Sequence, residues 1–117
     1  MPPQKILKTP AALSWTLHAQ VKMGFYRLSP SRVRRVLNSP KRVEEGVAPK
    51  TIAMMQPASM KTSNTWTQEI WVMVEDTRKE RKVISAWRYP GVTKPRDQIA
   101  VAFMKREYGD FLSNKLV

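Results

Sequence analysis

The sequence predicts an α+β domain in which two N-terminal helices pack on a roughly four-stranded antiparallel sheet, with a C-terminal helix. Three observations predict this class. Apolar residues recur at helical spacing near the N-terminus, the spacing changes to strict alternation in the middle of the chain, and it returns to helical spacing near the C-terminus. Because helices and strands come in blocks and do not alternate one by one, the sequence favours α+β over α/β architecture.

Length and composition are those of one globular domain. The chain has 117 residues, of which 42% are apolar and 26% are charged. We therefore expect a single domain over residues 11–117, preceded by a flexible or docked basic arm over residues 1–10. No run of residues is long and apolar enough to span a membrane or to form the core of a signal peptide, so we expect a cytoplasmic protein with no membrane partner.

Helical spacing predicts the first helix over residues 11–28. Leu17, Val21 and Phe25 lie at i, i+4 and i+8, and we expect this apolar face to pack on the sheet. A second helix begins at Ser29-Pro30, because Ser favours the N-cap and Pro favours the first helical position. An Asn-Ser-Pro stretch ends it.

Alternation predicts four strands, over residues 41–47, 51–56, 65–75 and 81–89. The last two are expected to pair as a hairpin. The stretch between the second and third strands, residues 57–64, is polar and rich in turn formers, so it predicts a loop. The final helix is expected over residues 95–113, with Asp97 as its cap.

The formal net charge of +12 is the most informative number. Residues 1–50 carry ten basic and two acidic side chains, and residues 51–117 carry eleven and seven. Such a surplus on a small domain indicates a polyanionic partner, most simply nucleic acid, although a solvated surface is the plain alternative. One basic group suits contacts with the phosphate backbone, namely Arg32, Arg34, Arg35, Lys41 and Arg42.

A second group combines charge with aromatic rings at the end of the last strand. Arg88 can bind a phosphate, and its neighbours Trp87 and Tyr89 can stack on bases. The alternative is that Trp87 lies in the core and Arg88 faces solvent beside it.

Several kinds of chemistry are excluded by residue counts. The chain has no Cys and one His, so it offers no disulfide, no thiolate nucleophile and no usual transition-metal site. It lacks the GxSxG and HExxH motifs and any glycine-rich phosphate loop. We expect no metal and no cofactor.

The first helix carries one row of groups with catalytic potential. His18, Lys22 and Tyr26 lie at i, i+4 and i+8, beside the apolar face. Imidazole, ammonium and phenol in a row offer proton transfer next to positive charge. The alternative is that they form the polar flank of an amphipathic helix.

The order of these residues resembles the RelE/ParE-like toxin superfamily, and within it BrnT-like proteins and neighbouring uncharacterised small domains. The matching features are His18, Lys22, the pair Tyr26-Arg27, and the following helix read as Ser29, Val33, Val36-Leu37 and Pro40. The resemblance covers about residues 14–90. In two respects the chain departs from it: Tyr26 stands where a basic residue is usual, and the arm and last helix lie outside the match.

The resemblance implies a RelE-like fold with a basic concave face. It also implies a metal-independent endoribonuclease of a toxin–antitoxin system, or its descendant, which acts on RNA such as mRNA on the ribosome and is neutralised by an acidic antitoxin. In such a reaction the 2′-OH of the RNA attacks the adjacent phosphate, and the enzyme supplies proton transfer and positive charge.

Five residues are candidates for those roles. His18 is the candidate for proton transfer and Tyr26 a weaker candidate acid, while Lys22, Arg27 and Arg88 are candidates for stabilising the charge on phosphorus. Two functions from other classes stay open. One is a non-catalytic RNA- or DNA-binding module, and the other is an interaction protein for an acidic partner.

Overall fold

A computed structural model describes residues 12–62 and 65–115 and shows an α+β fold, as predicted. The arm expected over residues 1–10 lies outside the described residues. Within the described ranges the elements follow in this order: β1 (Ala12–Trp15), α1 (Leu17–Tyr26), α2 (Pro30–Asn38), β2 (Arg42–Glu45), β3 (Thr51–Pro57), β4 (Met60–Thr62), β5 (Thr65–Trp66), β6 (Glu69–Asp76), β7 (Glu80–Tyr89) and α3 (Gln98–Lys115).

The main sheet is mixed and has five strands in the order β1-β7-β6-β3-β2, beside a small β4–β5 hairpin. All its pairs are antiparallel except β1 with β7, which is parallel. The expectation of a roughly four-stranded antiparallel sheet is therefore wrong at one edge. Residues 12–15 were expected to begin the first helix, but they pair with residues 80–83. The local spacing of apolar residues does not reveal a pairing strand so distant in the chain.

The central strand β6 is buried on both faces. Ile70, Val72 and Val74 belong to the core under α1 and α2, whereas Trp71 and Met73 belong to the core under α3. Below, the first is called the α1–α2 face of the sheet and the second the α3 face. The hairpin of β6 with β7 is confirmed.

A β-bulge in β7 changes which side chains share a face. Met73 pairs with Ser85 but Val74 pairs with Val83, so Ile84 is the extra residue. Strict alternation places Val83 and Trp87 on one side. The bulge instead puts Val83 on the α1–α2 face and Trp87 on the α3 face.

Helix α1 buries a different face from the one expected. Leu17, Val21 and Phe25 are 75%, 61% and 74% exposed, and the buried residues of this helix are His18, Ala19 and Met23. The expectation that the apolar stripe packs on the sheet is therefore wrong.

The position of α1 explains the change of face. The helix continues the line of β1 along the edge of β7: Thr16 N donates to Val83 O at 3.1 Å at its start, and Arg88 donates to Tyr26 O at 3.1 Å at its end. A helix at a sheet edge has two inward sides. Met23 points to the α1–α2 face, and His18 points to α3.

The predicted caps of the second and the last helix are confirmed, whereas the first helix begins at Leu17 and not at residue 11. Ser29 Oγ accepts a hydrogen bond from Arg32 N at 3.1 Å, and Pro30 is the first residue of α2. Asp97 precedes α3 and accepts from Ile99 N at 2.9 Å. The N–H groups of Ile99 and Lys94 lower the pKa of Asp97 below its usual value. These hydrogen bonds therefore favour the ionised carboxylate.

Replacing either of two glycines by alanine is expected to change stability, in opposite directions. A Cβ at Gly24, in α1, would meet nothing within 4 Å, so Gly24→Ala should raise the free energy of unfolding by about 0.5–1 kcal/mol. A Cβ at Gly46 would overlap Thr51, so Gly46→Ala should lower it by about 1–3 kcal/mol. Equilibrium denaturation measures both changes. A loss of stability in Gly24→Ala would contradict the helix position described here.

Candidate nucleic-acid interface

Helix α1 at the sheet edge and the neighbouring helix α2 form a layer whose Lys, Arg, Asp and Glu residues are all basic. Residues 17–38 contain Lys and Arg at five positions and no Asp or Glu, the basic residues being Lys22, Arg27, Arg32, Arg34 and Arg35. The acidic residues all come later in the chain, from Glu44 onward. This layer thus accounts for +5 of the net charge of +12.

Under α2, a row of side chains across the sheet ends in Arg88, which lies near two arginines of α2, Arg32 and Arg35. Gln56, Ile70 and Arg88 are register partners on neighbouring strands and face the α1–α2 side. From α2, Arg32 donates through Nη1 to Gln56 Oε1 at 2.6 Å and through Nη2 to Pro57 O at 3.0 Å. Gln56 Nε2 donates in turn to Arg35 O at 3.2 Å.

We call Arg32, Arg35 and Arg88 the arginine cluster. Burial lowers the pKa of the Arg32 guanidinium, and the positive charges of Arg35 and Arg88 lower it further. None of the ion pairs seen within residues 12–62 and 65–115 involves these three side chains. Within the described part of the chain, the fold therefore holds these like charges together without a carboxylate partner.

Arg88 is fixed by the end of α1. Its Nε and Nη2 atoms donate to Tyr26 O at 3.3 and 3.1 Å. The next residue, Arg27, has a left-handed backbone (φ 58°), ends the helix and is exposed. A cation at the last carbonyls of a helix is favourable, so Arg88 also stabilises α1. The turn between α1 and α2 therefore carries Arg27 beside the arginine cluster.

The other predicted phosphate contacts divide into two groups. Arg34 and Lys41 are exposed and lie over the rings of Trp15 and Trp66, at 5.5 and 5.4 Å from the ring centroids. Arg42 belongs instead to the interior of the α3 side, where it donates to Thr93 O at 2.7 Å. It also pairs with Glu44 at 3.0 Å. Unlike the arginine cluster, Arg42 thus has a carboxylate partner within the protein.

Sequence reasoning missed Ser85 and Glu107, which join two predicted residues in a buried group. Glu107 Oε1 accepts from Ser85 Oγ at 2.5 Å and lies 3.4 Å from His18 Nε2, while Oε2 lies 3.2 Å from Lys22 Nζ. We call these four residues the Glu107 network. The signal was present in the spacing, because Glu107 follows the apolar Met104 by three residues and so shares its inward side of α3.

The candidate catalytic residues fall into two separate places. His18 and Lys22 meet at Glu107, facing α3, and the His18 side chain is 3% exposed. Tyr26 and Arg88 meet at the other end of α1. His18 and Tyr26 are eight positions apart, which is about 12 Å along the helix axis.

The two aromatic candidates are both packed against the α3 side. Trp87 is 1% exposed, and its ring is stacked on that of Trp71 with centroids 6.2 Å apart. No face of Trp87 is open to a base, so the core alternative is the one observed. Tyr89 is half-buried and packs edge-on against Phe103 at 5.6 Å.

Comparison with known proteins finds no matching family model, no matching curated protein and no matching solved structure. The resemblance to RelE/ParE-like toxins and the RelE-like form of the fold therefore stay predictions. Among the residues that the structure describes, no helix is long and apolar enough to cross a membrane.

Proposed function

We propose that this protein binds the phosphate backbone of nucleic acid, and of RNA in particular, through the layer formed by α1 and α2. The observation that carries the proposal is the arginine cluster. Like charges held close together repel one another, and a bound anion removes that repulsion. Guanidinium groups also match the geometry of phosphate oxygens.

The surroundings of the arginine cluster favour a ligand with a chain of phosphates rather than a single anion. Arg34 and Lys41 are exposed beyond the cluster, and the whole molecule has a net charge of +12. Contacts with phosphates position a nucleic acid but read no base sequence. We therefore propose binding that depends little on sequence. An acidic antitoxin-like protein would meet the same surface and compete with RNA.

The salt dependence of RNA binding tests this proposal. Each phosphate contact with a single strand contributes about 0.7 to the slope of log affinity against log salt. Arg34→Ala with Arg35→Ala removes two exposed charges from α2, so the slope should become shallower by roughly 1.4. The affinity should fall by a similar factor for all sequences. Fluorescence anisotropy of a short labelled RNA, titrated at several salt concentrations, measures both quantities.

A matched control separates this surface from net charge. Arg78→Ala with Lys79→Ala removes the same charge from the exposed turn between β6 and β7, at the opposite end of that hairpin from Arg88. This control should keep the slope of the unmodified protein. Equal losses in the two double variants would mean that net charge alone drives binding, and no binding at low salt would overturn the proposal.

A metal-independent endoribonuclease is the second candidate. The observation that favours it is the Glu107 network, in which His18 and Lys22, four residues apart on α1, contact the same carboxylate. In this candidate His18 transfers a proton during attack by the RNA 2′-OH. Helix α3 must then move away from α1 before RNA reaches the imidazole, because the His18 side chain is 3% exposed.

A further inference from the structure

We propose that Phe25 is a platform on which one base stacks, so that the surface prefers single-stranded nucleic acid to a duplex. The inference rests on the proposed phosphate-binding function and names the form of nucleic acid that it takes. The observation behind it is that an exposed aromatic ring lies next in the chain to the carbonyl that binds Arg88.

The ring of Phe25 is open to solvent. The residue is 74% exposed, although an aromatic side chain of this size usually buries most of its surface. Tyr26 packs against it at 90°, with ring centroids 4.8 Å apart. A perpendicular contact of this kind covers at most one face of the ring.

The packing of Tyr26 holds the platform in place. Tyr26 is partly buried against both apolar cores, so its ring is a fixed support for the Phe25 ring. A platform held in this way loses little conformational freedom when a base stacks on it.

Positive charge lies within one residue of the platform. Tyr26 O, which follows Phe25 directly, accepts two hydrogen bonds from Arg88. Arg27 comes next and is exposed. The exposed ring, the carbonyl that binds Arg88 and the exposed Arg27 thus belong to three consecutive residues, 25–27. In this proposal a base on Phe25 leaves its phosphates beside this positive end of α1.

This arrangement discriminates between nucleic acid forms. Proteins that bind single strands combine a basic track with aromatic rings, and each stacked base contributes about 1–3 kcal/mol. In a duplex the bases are stacked on each other, so none is free to cover Phe25. Leu17 and Val21 extend the exposed stripe but carry no π face, so Phe25 is the stacking residue within it.

The test compares a single-stranded RNA with a duplex that contains the same strand, by anisotropy at fixed salt. Phe25→Leu keeps an apolar side chain but removes the aromatic face, and should weaken single-strand binding about 10-fold. The duplex affinity should not change, and the salt slope should also stay the same because no charge is lost. Phe25→Tyr should restore single-strand binding.

Val21→Ala is the matched control, since it lies one turn earlier in the same exposed stripe and should leave both affinities unchanged. Equal weakening by Phe25→Leu and Val21→Ala would overturn the platform, because an apolar docking stripe for a protein would lose both. No effect of Phe25→Leu, together with the shallower slope of the Arg34/Arg35 variant, would overturn the platform and leave phosphate binding standing. If the unmodified protein binds neither RNA form, the proposed function itself fails.

Discussion

Glu69→Ala should lower the free energy of unfolding by about 3–5 kcal/mol. The substitution removes a fully buried carboxylate and leaves its hydrogen-bond donors without that acceptor. Glu69 is 0% exposed and accepts four hydrogen bonds. They come from the indole N–H groups of Trp66 and Trp71, both at 3.0 Å, and from the backbone N–H and hydroxyl of Thr93, both at 2.8 Å. Equilibrium denaturation monitored by tryptophan fluorescence measures the loss.

The position of Thr93 makes this loss more than local. Thr93 lies between β7 and α3, and Arg42 also donates to its carbonyl and hydroxyl oxygens, at 2.7 and 2.9 Å. Glu69 therefore holds the segment that leads into α3, and Arg42 holds it from strand β2. Such a loss would remove a large part of the total stability of a small domain, which is about 5–15 kcal/mol.

Two further variants separate hydrogen bonding from packing. Glu69→Gln keeps the volume but places an NH₂ group against two of the donors, so it should lose stability although it leaves no cavity. Glu75→Ala, at the other and less buried end of β6, should change stability by no more than about 0.5 kcal/mol. Full stability in Glu69→Gln would show that packing, not acceptance of hydrogen bonds, is the role of Glu69.

The elements predicted from the sequence were those with strong local signals. The alternating run through Ile70 and Val74 specified β6, and Ser29-Pro30 specified the start of α2, because strand alternation and N-cap chemistry depend on adjacent residues only. Residues 12–15 had no such signal. Their strand exists only through pairing with β7, which is distant in the chain.

The exposed stripe of α1 shows why a buried face cannot be read from apolar spacing alone. Spacing identifies Leu17, Val21 and Phe25 as one face but does not say what lies against it. At the edge of β7 the helix turns His18, Ala19 and Met23 inward and leaves Leu17, Val21 and Phe25 outside. Which side a helix buries is decided by its neighbours, and those are set by topology.

All three residues of the arginine cluster were candidates from the sequence, but their grouping was not predicted. The basic character of residues 17–38 was evident from composition. The pairing of Arg32 and Arg88 on one face required the register of β3, β6 and β7, and the burial of His18 required the position of α3. These are contacts between distant parts of the chain, which the local spacing of residues does not predict.

The positions of His18 and Arg88 predict different kinetic effects for their variants if the protein is an endoribonuclease. If the protein cleaves RNA with the RNA's own 2′-OH, activity should survive EDTA and leave a 2′,3′-cyclic phosphate. His18→Ala should then lower kcat by about 10²-fold or more, since it removes the proton-transfer group. Arg88 lies at the other end of α1, so Arg88→Ala should raise KM and leave kcat nearly unchanged, whereas a group that stabilises the charged transition state would lower kcat by about 10²–10³.

Purified protein incubated with RNA, alone and on translating ribosomes, tests this prediction when the ends of the products are resolved chemically. Because His18 is buried against Glu107, His18→Ala will also lose stability, and rates must be compared well below the unfolding midpoint of each variant. Cleavage that stops in EDTA would contradict the metal-independent reaction, and full activity in His18→Ala would remove His18 from it. A fall in kcat for Arg88→Ala would mean that α1 and α3 rearrange to bring Arg88 to the reacting phosphate. No cleavage in either format would leave backbone binding by the arginine cluster as the function of this surface.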